Sequence, residues 1–96
     1  MKIVLIGGME RLERHYVREA QKVGISLRIF NKPENDIERK LKHTDGIILF
    51  TNKVSHQSRN DVLDVARHHG IPVFMHHSCG VCTLRECLKC LNGAHS

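Results

Sequence analysis

The 96 residues suffice for one domain, residues 1–96, with a modest core, and we expect it to form a homo-oligomer. Lysine and arginine outnumber aspartate and glutamate by 15 to 10. The basic residues form no tract and only 4% of the residues are aromatic, so we do not expect nucleic acid as a partner. No apolar run reaches the length of a signal-peptide core or a membrane span, so we expect a cytoplasmic protein without membrane contact.

Four short apolar, β-branched runs alternate with amphipathic stretches of helical length. The runs are residues 3–6, 27–30, 47–50 and 71–75. Strands that alternate with helices pair in parallel through right-handed crossovers. The sequence therefore predicts one small α/β domain, flavodoxin-like or Rossmann-like, with a four-stranded parallel sheet and helices on both faces.

The helices between these strands have recognisable ends. The first is predicted to end at a left-handed cap, Gly24, and the second to begin at a capping box over residues 35–38. The third is predicted to extend from about Ser58 to Gly70. The fourth is predicted to begin at Thr83, because Thr83 and Glu86 have the spacing of a second capping box.

Ligands of doubly wound sheets bind beyond the carboxyl ends of the strands. Residues 7–8, 51–56 and 76–82 follow three of the predicted strands, so we expect these loops to form one site at that edge. Gly7 and Gly8 open a helix and can cradle a phosphate or a haem propionate, and Arg11 lies one turn further on.

Three motifs occur in an order that resembles a known family. They are residues 4–12 (VLIGGMERL), 51–56 (TNKVSH) and 76–81 (HHSCGV). The family consists of small bacterial and archaeal proteins defined only as a domain of unknown function. The resemblance implies a flavodoxin-like fold and a site containing Gly7, Gly8, His56, His77 and Cys79, and it brings no reaction with it.

The side chains of this edge include ligands that haem iron accepts. Haem needs one or two axial ligands, apolar surface for the macrocycle and cations for its propionates. The candidate iron ligands are His56, His77 and Cys79. The wider candidate cofactor site adds Gly7, Gly8, Arg11, Ser55 and Gly80.

Any haem would be haem b, held without a covalent bond. The attachment signature C-x-x-C-H is absent, because Thr83 follows Cys82. A chain this small cannot enclose haem alone, so we expect a pocket near a subunit interface. The leading hypothesis is a non-catalytic haem protein that carries haem or senses redox state or gas.

Two other hypotheses use the cysteines differently. Cys79, Cys82, Cys87 and Cys90 have a C-x2-C-x4-C-x2-C spacing that could hold zinc or an iron–sulfur cluster, although the middle gap is shorter than in structural zinc sites. Cys79 and Arg85 have the C-x5-R spacing of a phosphate-binding loop in cysteine phosphatases and sulfurtransferases. In that enzyme Cys79 would be the nucleophile and Arg85 would bind the oxyanion.

Overall fold

A computed structural model describes residues 1–30, 37–77 and 80–93, with the backbone alone for Lys53 and residues 91–93. Its strands are β1 (Lys2–Ile6), β2 (Ser26–Phe30), β3 (Gly46–Phe50) and β4 (Val73–His76). All neighbours pair in parallel, in the order β2-β1-β3-β4. The predicted parallel sheet is confirmed. The fourth strand starts later than predicted, because the Ile71 amide donates to Ala66 O at 2.8 Å and so belongs to the preceding turn.

The described helices are two 3₁₀ turns (Glu10–Leu12 and Thr51–Lys53), α1 (Glu13–Lys22), α2 (Ile37–Leu41), α3 (His56–His69) and α4 (Val81–Gly93). The predicted caps at Gly24 and Gly70 are confirmed, with φ of 73° and 67°. The predicted capping box of α2 includes residues 35 and 36, which lie outside the described residues. No helix in the described ranges is long and apolar enough to cross a membrane.

Two predicted helix starts were wrong by two residues. Ser55, not Ser58, caps α3: its Oγ accepts a hydrogen bond from Ser58 N at 3.2 Å. In α4 the Leu84 amide donates to Gly80 O at 3.2 Å. Thr83 therefore lies inside the first turn and does not cap it.

The sheet separates two apolar clusters because its side chains alternate between faces. Along β3, which is buried over its whole length, Ile48 and Phe50 face the cluster shared with α1 and α4, while Ile47 and Leu49 face α2 and α3. This arrangement confirms helices on both faces. It also places the topological switch between β1 and β3, because α1 leaves β1 on one face and α3 leaves β3 on the other.

Candidate functional site

Gly7 lies at the switch point, where the loops after β1 and β3 touch. Its φ is 87°, a left-handed value that glycine adopts without strain. A Cβ at this position would lie 2.6 Å from Phe50 O and would also collide with Val54 Cγ2. Gly7 is therefore required for the two loops to pack against each other.

Gly8 is required by a second close contact. A Cβ here would lie 2.8 Å from Cε2 of Tyr16, which is fully buried in α1. The Tyr16 hydroxyl accepts a hydrogen bond from Met9 N at 3.2 Å. Packing thus accounts for both glycines, and the Met9 amide already has a partner within the protein.

His77 is brought to the end of β3 by the register of the sheet. Phe50 pairs with His76. The residues that follow them, Thr51 and His77, therefore lie side by side. Thr51 Oγ1 lies 3.1 Å from His77 Nδ1 and 3.4 Å from His76 O. Local sequence patterns do not predict this contact, because the two residues are 26 positions apart.

The contact favours one tautomer of His77. The Thr51 hydroxyl has a single proton, and the His76 carbonyl can only accept it. Both hydrogen bonds form when the hydroxyl donates to His76 O and accepts from the Nδ1–H of His77. Nε2 of the exposed ring then carries the lone pair, as in metal-binding histidines that are oriented through their other nitrogen.

The adjacent His76 has a structural environment. It is half-buried, and its ring meets the edge of Phe50 with 6.4 Å between the centroids and an interplanar angle of 65°. Phe50 belongs to the core cluster with α1 and α4. Of the two neighbouring histidines, His77 is therefore the one open to a ligand.

The remaining candidates surround this edge without touching His77 in the described part of the chain. His56 is the exposed first residue of α3, and Arg11 is exposed in the first 3₁₀ turn. Ser55 caps α3, so its hydroxyl is already engaged. Gly80 precedes α4 and its carbonyl accepts the Leu84 amide. Cys79 lies outside the described residues.

Three of the four cysteines lie on α4 in different environments. Cys82 and Cys90 are exposed, whereas Cys87 is buried among Leu84 and Leu88. Burial raises the pKa of the Cys87 thiol to about 11, and the neighbouring Cys90 adds to the shift. Because Cys87 faces the core whereas Cys82 and Cys90 are exposed, the three thiols of α4 do not meet at one point. Among the described residues, no group of three or more metal-binding side chains is placed to hold an ion.

Arg85 makes an ion pair away from the start of α4. Its Nε and Nη2 donate to the two carboxylate oxygens of Glu19 in α1, at 3.1 and 3.0 Å. The hydrogen bond from Arg85 holds the pKa of Glu19 below its usual value, and Glu19 raises the pKa of Arg85. The guanidinium therefore joins two helices, and an oxyanion would have to displace Glu19 to use it.

Arg59 is a residue that the sequence analysis missed. It lies in the first turn of α3 and is half-buried, and among the described residues its Nε is shielded from solvent with no hydrogen-bond partner. A shielded donor without a partner is unfavourable, and an anionic oxygen would satisfy it. The helical spacing of Arg59 with the buried Val62 and Ala66 could have identified it from the sequence.

Two solved structures share this fold. A de novo designed Rossmann fold protein has a TM-score of 0.66 and 14% identity, with 95% of this chain and 96% of that chain covered. A de novo designed Rossmann 2x2 fold protein, solved by solution NMR, has a TM-score of 0.66 and 17% identity, with 100% and 91% covered. At these identities the likeness concerns the fold alone.

The sequence comparisons identify the family. No curated protein matches the chain significantly. Residues 2–91 match the model of a family described as "Uncharacterized protein conserved in bacteria (DUF2325)". This match confirms the predicted resemblance to a domain of unknown function, and the chain belongs to the DUF2325 family.

Proposed function

We propose that this protein binds haem b without a covalent bond and acts as a non-catalytic carrier of haem or a sensor of redox state or gas. The hydrogen bond between Thr51 Oγ1 and His77 Nδ1, at 3.1 Å, is the observation that supports the proposal most directly. It leaves Nε2 of an exposed histidine as a lone-pair donor. Haem iron needs only one or two such ligands, whereas a structural zinc ion needs four.

His77 is the first axial ligand in this proposal. His56 and Cys79, from the two neighbouring loops, are the candidates for the second. The propionates would find cations at the same edge, where Arg11 is exposed and Arg59 Nε has no partner among the described residues.

Haem bound to one small domain would keep its second face exposed to solvent. Met75, two residues before His77 on the edge strand β4, has 53% of its surface exposed. Thioether side chains adapt to flat apolar surfaces. We propose that a second copy of the chain completes the pocket and that the protein is a cytoplasmic homo-oligomer in which the thiols remain reduced.

The cysteine-based hypotheses receive less support. Cys87 is buried in the core cluster whereas Cys82 and Cys90 are exposed, which disfavours a four-thiolate zinc or iron–sulfur site. The two hydrogen bonds between Arg85 and Glu19 disfavour Arg85 as the anion-binding group of a Cys79 phosphatase or sulfurtransferase. We therefore advance haem binding alone.

The test is an ultraviolet-visible titration of the purified full chain with haemin, combined with metal analysis. We expect a sharp Soret band that saturates at a fixed ratio of haem to subunit. His77→Ala should shift the band and weaken binding by about tenfold or more, since a lost interaction of at least 1.4 kcal/mol has that effect. His15→Ala removes an exposed histidine of α1 and is the matched control.

The second ligand is assigned by the same titration. Either His56→Ala or Cys79→Ser should alter the spectrum of the haem complex. Uptake that is equal in all three ligand variants would indicate unspecific haem adsorption and refute the proposal. Stoichiometric zinc, or iron with sulfide, in the protein as purified would instead favour the four cysteines.

A further inference from the structure

A second concave surface lies at the opposite edge of the sheet from His77. It is a cleft of about 480 Å³ between the amino-terminal halves of β1 and β2 and the carboxyl end of α2. The lining residues with polar side chains are Lys2, Ser26, Arg28, Arg39, Lys40, His43 and Thr44. Ile3 and Val4 complete the lining.

The cleft lies between the edge strand β2 and the described residues of α2. The register pairs Lys2 with Ser26 and Val4 with Arg28, so these four residues face the side of α2. The described part of α2 packs Leu41 in one cluster with Val4. Ser26 and Arg28 of β2 remain exposed beside it.

The described lining of the cleft is positively charged. Among the described residues that line it, four are lysine or arginine, one is histidine and none is acidic. The whole chain also has a formal excess of five positive charges. A concave wall with charges of one sign focuses its field on ligands of the opposite sign.

Two arginines of the lining, Arg28 and Arg39, are available to bind a ligand. Asp45 Oδ2 accepts the backbone amide of Lys2 at 2.7 Å, and Lys40 Nζ lies 5.5 Å from the centre of the Phe30 ring. In the described ranges, neither Arg28 nor Arg39 forms an ion pair with a carboxylate. A guanidinium matches phosphate oxygens through two parallel hydrogen bonds.

The geometry points to a binding site for a small compound with several phosphate groups, such as a nucleoside polyphosphate or inorganic polyphosphate. Its volume lies within the range of small-molecule sites, about 300–1,000 Å³. Arg28 and Arg39 bind the phosphates, and the hydroxyls of Ser26 and Thr44 donate further hydrogen bonds. The described residues of the lining include no Phe, Tyr or Trp, so the successive bases of a nucleic acid lack the stacking surface that these side chains provide.

Titration calorimetry of the full chain with inorganic tripolyphosphate at low ionic strength tests this site. Arg28→Gln and Arg39→Gln should each weaken binding by about tenfold or more, since the loss of a hydrogen bond to a charged group has an effect of that size. Arg28→Lys keeps the charge but not the paired donors, so it should lie between the wild type and Arg28→Gln. Arg18→Gln and Arg67→Gln are exposed controls on α1 and α3 and should change affinity less than twofold.

Three outcomes would overturn the proposal. An absence of binding would remove the site, and equal weakening in the controls and the cleft variants would show only diffuse charge. A single-stranded oligonucleotide that binds more tightly than tripolyphosphate, and that the cleft variants release, would make the surface a nucleic-acid site. Circular dichroism of each variant confirms that the comparison concerns folded protein.

Discussion

Arg85 and Glu19 connect α4 to α1 through two parallel hydrogen bonds of 3.0 and 3.1 Å. The Glu19 side chain is only 11% exposed, whereas that of Arg85 is 45% exposed. The ion pair therefore links the two helices at the surface of the layer that α1 and α4 form on one face of the sheet. Paired donors of this kind fix the relative position of two elements more firmly than a single contact does.

This ion pair makes stability depend on pH in the acid range. The pKa of Glu19 is lowered from its usual 4.5 in the folded protein, so the unfolded chain binds more protons in that range. The stabilisation is complete above the unfolded pKa and is lost as the pH falls through the folded one. We expect Glu19→Gln to lower the melting temperature at pH 7. The difference in melting temperature from the wild type should shrink as the pH falls toward 3.

Thermal unfolding of both proteins from pH 7 to pH 3 checks this expectation. Arg85→Gln should have the same effect as Glu19→Gln, and the double variant should be little worse than either, because each change removes the same pair. A melting-temperature difference that stays constant over the whole pH range would contradict the assignment.

The Thr51 hydroxyl should matter for haem binding although it does not reach the iron. Thr51→Val keeps the shape but removes the partner of His77 Nδ1, and we expect haem affinity to fall by about 10–100-fold, the usual effect of losing such a partner. Thr51→Ser should restore most of the affinity. The haemin titration measures both, with Arg85→Gln as a control that should bind like the wild type. Equal affinity in Thr51→Val would mean that the contact does not orient the ligand.

The thiols of α4 should differ in reactivity. At pH 8 a thiol with a pKa of about 11 is ionised about a hundredfold less than one at the usual 9.0. Iodoacetamide should therefore label the exposed Cys82 and Cys90 well before Cys87. Peptide mass spectrometry after short labelling measures the order, and labelling in denaturant should remove the difference. Fast labelling of Cys87 in the folded protein would show that it is not buried.

Gly7 and Gly24 form a matched pair for measuring the cost of the loop contact. Both have positive φ, but a Cβ at Gly24 would meet nothing within 4 Å. Gly24→Ala should cost only the left-handed conformation, about 1–2 kcal/mol, and Gly7→Ala should cost about 2–4 kcal/mol because the collision adds to it. Urea denaturation of the two variants compares these free energies of unfolding. Equal losses would mean that the loops separate easily.

The sequence was sufficient for the fold. The periods of the apolar residues located all four strands, and Gly24 and Gly70 marked two helix ends. The start of α3 was harder, because Ser55 and Ser58 are both capable caps and only the path of the chain decides between them. Such a choice depends on tertiary packing, which local patterns do not contain.

The contacts of the site residues could not be predicted in the same way. The spacing of Cys79 and Arg85 indicated an anion site, but the partner of Arg85 is 66 residues away on another helix. The link between Thr51 and His77 likewise depends on the register of β3 with β4. Sequence patterns locate residues on an edge, whereas their hydrogen bonds depend on segments that are distant in the chain.

The position of β2 at the edge of the sheet also has a consequence for local opening. β3 is buried over its whole length, while β2 is an edge strand whose residues are exposed or half-buried. Segments with few buried contacts open at lower free energy than the core. In hydrogen exchange, the amides of β2 and α2 should therefore lose protection before those of β3. Loosening at that end would leave the other side of the sheet, where His77 meets Thr51, in place.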